Sequence, residues 1–317
     1  MSRQILITGA TGFIGTALAQ RLDAEGMAVR GTVRHQAPKD APYPVIPVGD
    51  LNGDTPWRAA LQDVDTIVHL AARTFVPKAP EAAPLSAFRR VNVEATAALA
   101  RQAARAGVRR FIYVSTIKVH GESTPPDRPF REQDPLSPAD AYARSKAEAE
   151  AALRSIARET GLETVILRPP LVHGPGMGGN LARLRRWVQR GVPLPLGAVT
   201  GNRRSLVGVD NLTDLILRCV DHPAAAHETF LVADGQDLST ADLLRAMGKA
   251  AGRPARLLPV PVPVLRATAS LLGREEMARR VLDSLRVDAS KVRRVLQWQP
   301  PVPLEQGLAR AMQPGDP

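Results

Sequence analysis

Only one of the 317 residues is a cysteine, and aromatic side chains make up 4% of the chain. A single thiol excludes a disulfide or a cysteine metal cluster within the chain, and Cys219, beside Leu217 and Val220 in an apolar helical pattern, is expected to be a buried structural residue. No apolar run approaches the roughly 18 residues of a membrane span, so no such span is expected. The start lacks the charged, apolar and small-residue sections of a signal peptide, which makes the cytoplasm the expected location. The scarcity of aromatics also removes the stacking platforms of a single-strand binder. A net charge of +11 comes from arginines scattered over every helical stretch, with no basic tail, helix-turn-helix or zinc pattern. Nucleic acid is therefore not expected as a partner, although the excess favours anionic ligands.

What is present is alternation. Short apolar runs at Gln4 to Thr8, Ala28 to Val33, Val45 to Val48, Thr66 to Leu70, Phe111 to Ser115 and Thr164 to Leu167 are separated by helical patterns such as Phe13 to Glu25, which stops at Gly26. This is the pattern of βαβ units on a parallel sheet, so an α/β, doubly wound (Rossmann) fold is predicted. Beyond Arg168 the alternation loosens into Pro/Gly-rich segments and helices such as Leu181 to Arg190. A chain of this length exceeds one typical core. The expected division is a dinucleotide-binding domain over residues 1–170 plus about 205–235, and a smaller, interleaved α+β substrate unit over 171–204 plus about 236–317. The segment Ser205 to Ala233 is expected to return to the main sheet as strand, helix and strand. The Pro-rich stretch from Pro254 to Pro263 is expected to be an ordered connection.

The first strand runs into Gly9-Ala10-Thr11-Gly12-Phe13-Ile14-Gly15 and a helix follows at once. Gly9 permits the tight turn, Gly12 lets backbone amides approach a pyrophosphate, and Gly15 allows helix and strand to pack closely, with the anion at the helix N-terminus. The second strand ends Val29-Arg30-Gly31-Thr32-Val33-Arg34. A carboxylate at that end accepts the ribose hydroxyls of NAD, whereas a cation accommodates the 2′-phosphate of NADP. None follows before Asp40, so NADP is favoured with Arg34 as the phosphate ligand; NAD with Arg34 stacked on adenine is the alternative. Tyr142 and Lys146, four apart in an Ala-rich helical stretch, share one face. A neighbouring ammonium and the positive nicotinamide are expected to favour the Tyr142 phenolate, which would let it exchange a proton with a substrate oxygen.

With its Gly-x-x-Gly-x-x-Gly spacing, Thr8 ahead of it and Tyr142-Ala143-Arg144-Ser145-Lys146 behind, the chain resembles the extended short-chain dehydrogenase/reductases, the NAD-dependent epimerase/dehydratase family. The resemblance implies that Asp50 and Leu51 meet the adenine, that Leu70, Ala71 and Ala72 lie along the cofactor, that Asn92 braces this region, and that Pro169 passes under the nicotinamide. Lys146 would hold the nicotinamide ribose. Matching Val119-His120-Gly121 to the family's Val-Tyr-Gly makes Thr116 the hydroxyl at the reacting oxygen, with Ser115 as the backup. Sugar-nucleotide 4,6-dehydratases carry Thr-Asp-Glu where this chain has Thr116-Ile117-Lys118, so a dehydratase is excluded; Lys118 points either at a substrate anion or at solvent. Asn180 and Arg204 match residues that contact the substrate diphosphate, and Leu196 lies in the segment that lines the uracil. A second clamp is expected among Arg279, Arg280 and Arg286. The ending Leu296-Gln297-Trp298-Gln299-Pro300 departs from the family's Leu-Gly-Trp-x-Pro by one glycine.

Within the family the chain resembles the UDP-glucose 4-epimerase-like subgroup, including 4-keto reductases that make UDP-N-acetylquinovosamine. The expected activity is NADPH-dependent reduction at carbon 4 of a UDP-4-keto-6-deoxy-hexosamine. The alternative is a UDP-sugar 4-epimerase with retained NAD. Reduction of a non-sugar ketone ranks lower, as does a non-catalytic NADP-binding regulator, which would have lost Tyr142 or Lys146. The family also implies a homodimer through the helices near Leu85 to Ala106 and Asp140 to Thr160.

Overall fold

The computed structural model describes residues 3–38, 41–74 and 84–313. Its core is a seven-stranded sheet, parallel throughout, in the spatial order β3-β2-β1-β4-β5-β6-β9. The strands are β1 (Gln4–Thr8), β2 (Ala28–Val33), β3 (Val45–Pro47), β4 (Val64–His69), β5 (Arg110–Val114), β6 (Glu163–Arg168) and, from late in the chain, β9 (Thr229–Leu231). Ile5, Leu6 and Ile7 in β1 are wholly buried, as a strand covered by helices on both faces requires. The chain works outward from β1 to β3 and then restarts at β4 on the other side of β1. That reversal opens a crevice at the carboxyl ends of β1 and β4, where doubly wound sheets take their ligands.

One face of the sheet is covered by α1 (Phe13–Ala24) and α6 (Val209–Asp221), which pack on each other. The other carries α2 (Leu85–Arg89), a single π-helical turn at Arg90–Glu94, α3 (Ala95–Arg105) and the long α4 (Ala141–Thr160). Asp140 starts α4 by accepting the Ala143 N–H on its side chain, an N-cap that satisfies one otherwise orphaned donor.

The expected return to the main sheet is half right. β9 pairs with β6, but β8 (Leu206–Gly208) pairs with β7 (Leu171–His173) in a separate two-stranded sheet. Around that ribbon α5 (Gly179–Arg190), α7 (Thr240–Ala250) and α11 (Leu304–Met312) enclose a smaller core that includes Leu181, Leu244, Met247 and Leu308. A helical hairpin, α8 (Val262–Leu271) and α9 (Glu275–Leu282), stands on its outer side, and α10 (Ser290–Leu296) packs near β9. The stretch before α8 is ordered: the Leu194 N–H donates to Arg256, and the Leu258 N–H donates back to Leu194. Among the described residues no helix is long and apolar enough to cross a membrane. Cys219 is buried, which pushes its thiol up to about 12.

Candidate active site

The glycine turn sits at the carboxyl end of β1. Gly9 has φ +69°, and a Cβ there would stand 3.0 Å from the Ala71 backbone. A Cβ on Gly15 would meet the Gly9 carbonyl at 2.2 Å, so α1 can approach the turn only with glycine at that position. α1 has glycine as its N-cap, no side chain capping its first amides and no acidic residue in its first turn. Thr11 and Gly12 are exposed there, with Phe13 and Ile14 half-buried behind them. Free amide donors at a positive helix end are the chemistry that a pyrophosphate requires.

Behind this turn lies a polar chain that the sequence did not reveal. The Thr8 hydroxyl accepts the Leu70 and Ala71 N–H groups and lies 2.7 Å from His69 Nδ1. His69 Nε2 lies 2.9 Å from the Thr96 hydroxyl, which itself donates to the Asn92 carbonyl. These partners assign the ring: Thr96 has spent its proton, so Nε2 carries the hydrogen and Nδ1 accepts from Thr8. Burial, with Lys146 nearby, lowers His69 to about 3 and keeps it neutral. The Asn92 side chain binds the Arg73 backbone in both directions and donates to the Ser145 hydroxyl, which donates to the Tyr142 carbonyl. Asn92 thus braces the segment from Leu70 to Arg73 directly against α4, as the family resemblance implied.

Tyr142 and Lys146 lie on the inner face of α4. The Lys146 ammonium donates to the Val114 carbonyl at 2.7 Å and sits 4.1 Å from the centre of the Tyr113 ring. Burial lowers it to about 7, against the opposing pull of Glu150. Tyr142 does not behave as the bare spacing suggested: burial first, and Asp140 second, push it up to about 12. Without a ligand it is a protonated phenol.

Thr116 begins a 3₁₀ turn, its hydroxyl accepting the Lys118 N–H, and the next amide, Ile117, donates to the Pro169 carbonyl. The Ser115 hydroxyl points the other way and donates to Glu150 Oε1 at 2.6 Å. Glu150 is also held by Arg168 and Arg154, and Arg168 Nη1 lies 2.8 Å from His120 Nε2. Burial and the Arg168 charge lower His120 below its ordinary value. A hint of this network existed in the spacing, since Glu150 continues the face of Tyr142 and Lys146 by one more turn.

Lys118, expected to point at a substrate anion or at solvent, meets two carboxylates of the chain. Its ammonium is closed between Glu122 Oε1 at 2.6 Å and Asp140 Oδ2 at 2.7 Å, so its charge is already neutralised. Arg34 also meets a carboxylate. Its Nε lies 3.5 Å from Asp50 Oδ1, with the two side chains 70% and 79% exposed. Asp50, expected to meet the adenine, thus stands beside the expected phosphate ligand; Asp40 lies outside the described residues. Leu51 beside it packs on the core under α3.

Arg204, expected at the substrate diphosphate, forms isolated bridges with Leu238 and Leu285. It donates to the Asp283 carbonyl, bonds to no carboxylate among the described residues, and burial lowers its pKa. Of the three candidates for a second clamp, Arg286 is tied to Asp237 and the Pro126 carbonyl, and Arg279 is an exposed partner of Glu275. Arg280 lies 3.8 Å from Glu122 beside the Lys118 cluster; it also pairs with Glu276, and its Nε is buried without a partner. Asn180 is exposed in the first turn of α5 and caps nothing there, and Leu196 is half-buried against the smaller core. Among the described residues no cluster of metal-ligating side chains occurs.

A parallel sheet with a glycine turn at its switch point, and a helix carrying Tyr142 and Lys146 whose ammonium reaches the end of β5, fits a dinucleotide-dependent short-chain oxidoreductase architecture. The model of the NAD dependent epimerase/dehydratase family matches residues 5–233, and the chain belongs to that family. It is 42% identical to a UDP-glucose 4-epimerase of Vibrio cholerae, over 99% of this chain and 95% of the relative. It is 28% identical to the N-acetyl-alpha-D-glucosaminyl-diphospho-ditrans,octacis-undecaprenol 4-epimerase of Escherichia coli, over 99% of this chain and 95% of that one. The crystal structure of a Bacillus cereus UDP-N-acetylglucosamine 4-epimerase superposes with a TM-score of 0.80 at 21% identity, covering 98% of each chain.

Proposed function

We propose that the chain is a 4-epimerase acting on a hexose joined to a diphosphate, most simply a UDP-sugar, with a retained NAD. The relatives named above share a sugar diphosphate and the carbon-4 reaction. The expectation of an NADPH-dependent 4-keto reductase rested on a resemblance to that subgroup, supported by Arg34 as a phosphate ligand; the relatives named above favour the 4-epimerase, and Asp50 beside Arg34 weakens the preference for NADP.

The free amides of α1 and the Asp50 end of β3 would hold NAD, which supplies a reversible hydride acceptor for carbon 4. Thr116 would donate a hydrogen bond to the oxygen on that carbon, and Tyr142 Oη would carry its proton. A phenol raised to about 12 gives up a proton only when positive charge is brought against it. Closing the cleft over a cationic ring beside Lys146 meets that need. Arg204 and Arg280 would hold the diphosphate, with Asn180 at the start of α5 and Leu196 on the base side. Residues 1–170 and 205–235 would serve the cofactor, and the remainder the substrate. The packed pair α3 and α4 would form the homodimer face.

The observation that supports the reading is the Lys146 ammonium bonded to the Val114 carbonyl at the end of β5, on the helix that carries Tyr142, with Lys118 held by two carboxylates. It equips the site for proton exchange at one oxygen and leaves it without the acid and base of water elimination. The test is to denature the purified protein, assay the supernatant for NAD, and incubate native protein with UDP-glucose or UDP-N-acetylglucosamine. Released NAD and a 4-epimer that Tyr142→Phe abolishes are expected. Stoichiometric consumption of NADPH with a UDP-4-keto-6-deoxy-hexosamine, and no epimer, would restore the reductase.

A further inference from the structure

We propose that the α8–α9 hairpin docks this protein on an anionic lipid bilayer. Five of the seven large hydrophobic side chains exposed in the described structure fall in one stretch of sequence: Leu258, Val264, Leu271, Leu272 and Met277, with Leu271 88% exposed. α8 buries none of its ten residues and holds one charge, Arg266. Val264, Ala267, Thr268 and Leu271 are all exposed, and their i, i+3, i+4, i+7 spacing places them on one face. An ordinary surface helix carries its charges on that face. The Thr268 hydroxyl donates to the Val264 carbonyl, which satisfies its polarity inside the helix.

Around this apolar stripe the charge is mixed with a positive excess: Arg266, Arg279 and Arg280 pair with Asp283, Glu275 and Glu276, while Arg253, Arg256 and Arg274 pair with no carboxylate among the described residues. Between residues 253 and 283 there are six arginines against Glu275, Glu276 and Asp283, in a chain whose net charge is +11. An apolar helix face flanked by arginines is the composition that settles into a headgroup region and is attracted by anionic lipids. A second copy of the chain fits less well. A ten-residue helix offers a face on the order of 15 Å by 10 Å, far short of the roughly 800 Å² per partner of a stable interface. A two-fold pairing would also bring like arginines together.

The hairpin is tied to Arg204, the residue proposed above to hold the diphosphate. Asp283, immediately after α9, accepts Arg266 of α8 on its side chain at 2.6 Å and Arg204 on its carbonyl at 3.0 Å. Docking through α8 would therefore link the membrane surface to the proposed diphosphate site.

Flotation of the full-length protein with phosphatidylcholine vesicles, and with the same lipid mixed with phosphatidylglycerol, tests this without turnover. The expected result is recovery with the anionic vesicles, weakened by salt, and reduced roughly tenfold or more by Leu271→Asp with Leu272→Asp. Leu136→Asp, at an exposed leucine elsewhere, should change nothing, and all variants should melt as the parent does. Absence of vesicle binding, or binding that the double variant retains, overturns the proposal. So does a dimer in sedimentation that the double variant dissolves without any lipid binding. The proposal rests on the sugar-diphosphate reading only for its purpose: vesicle binding with no turnover of any sugar diphosphate would sink that reading and leave the docking intact.

Discussion

Glu150 and Arg168 form an ion pair with side chains 0% and 2% exposed, and it joins the helix of Tyr142 and Lys146 to the strand that leads into Pro169. Ser115 and His120 complete it. Removing one partner of such a pair leaves a buried charge without compensation. Glu150→Gln is expected to destabilise the protein by about 3–5 kcal/mol. The double variant Glu150→Leu with Arg168→Met should recover most of that loss in urea unfolding. A single variant costing under about 1 kcal/mol would mean that the pair is not sealed from water.

Adjacent hydroxyls should separate chemistry from stability. Thr116→Val is expected to lower kcat roughly a hundredfold with little change in melting temperature. Ser115→Ala should leave kcat near normal and cost about 1–3 kcal/mol, because the buried Glu150 carboxylate loses a donor. Steady-state kinetics on both variants, with thermal melts alongside, would expose a reversed assignment.

Acid should act through His69. Its folded value of about 3 lies below the ordinary imidazole value of about 6.5. Between those values the unfolded chain binds a proton that the folded chain refuses, so stability falls as pH is lowered through that window and is unaffected above it. The slope from this group is up to about 1.4 kcal/mol per pH unit. His69→Gln, which can accept from Thr8 and donate to Thr96, should flatten the acid limb of a pH series of urea midpoints; an unchanged slope would assign the acid sensitivity elsewhere.

Gln297 ends α10 with φ +50°, at the position where the family ending carries glycine. Gln297→Gly is expected to stabilise by on the order of 0.5 kcal/mol, from about 1–2 kcal/mol of relieved left-handed strain less about 0.5–1 kcal/mol of added chain entropy. Chemical denaturation resolves a change of either sign.

Much of the nucleotide half was legible because its signals are local. The β1 run, the glycines after it and the Tyr142/Lys146 spacing each depend on residues within a turn or two of one another, and each lies where the pattern placed it. Pairing across distance was less legible. Three apolar residues at Leu206 announce a strand but not whether it joins β7 or the main sheet. Which of two neighbouring hydroxyls, Ser115 or Thr116, faces the cleft was decided by a glutamate 35 residues away. Arg34 misled for the same reason: the carboxylate that meets it arrives from another strand. The role of His69 required knowing what stands on both sides of its ring.

The clamp on Lys118 bears on how this site could change its chemistry over generations. Replacing that lysine with an acid, the first move towards water elimination, would strand Glu122 and Asp140 beside a third negative charge. Asp140 also starts the helix of Tyr142 and Lys146, so the repulsion would fall on the turn that leads into the proton carrier. A single-residue route from this arrangement to a dehydratase passes through a damaged intermediate, whereas variation on the substrate side of the cleft leaves the lock undisturbed.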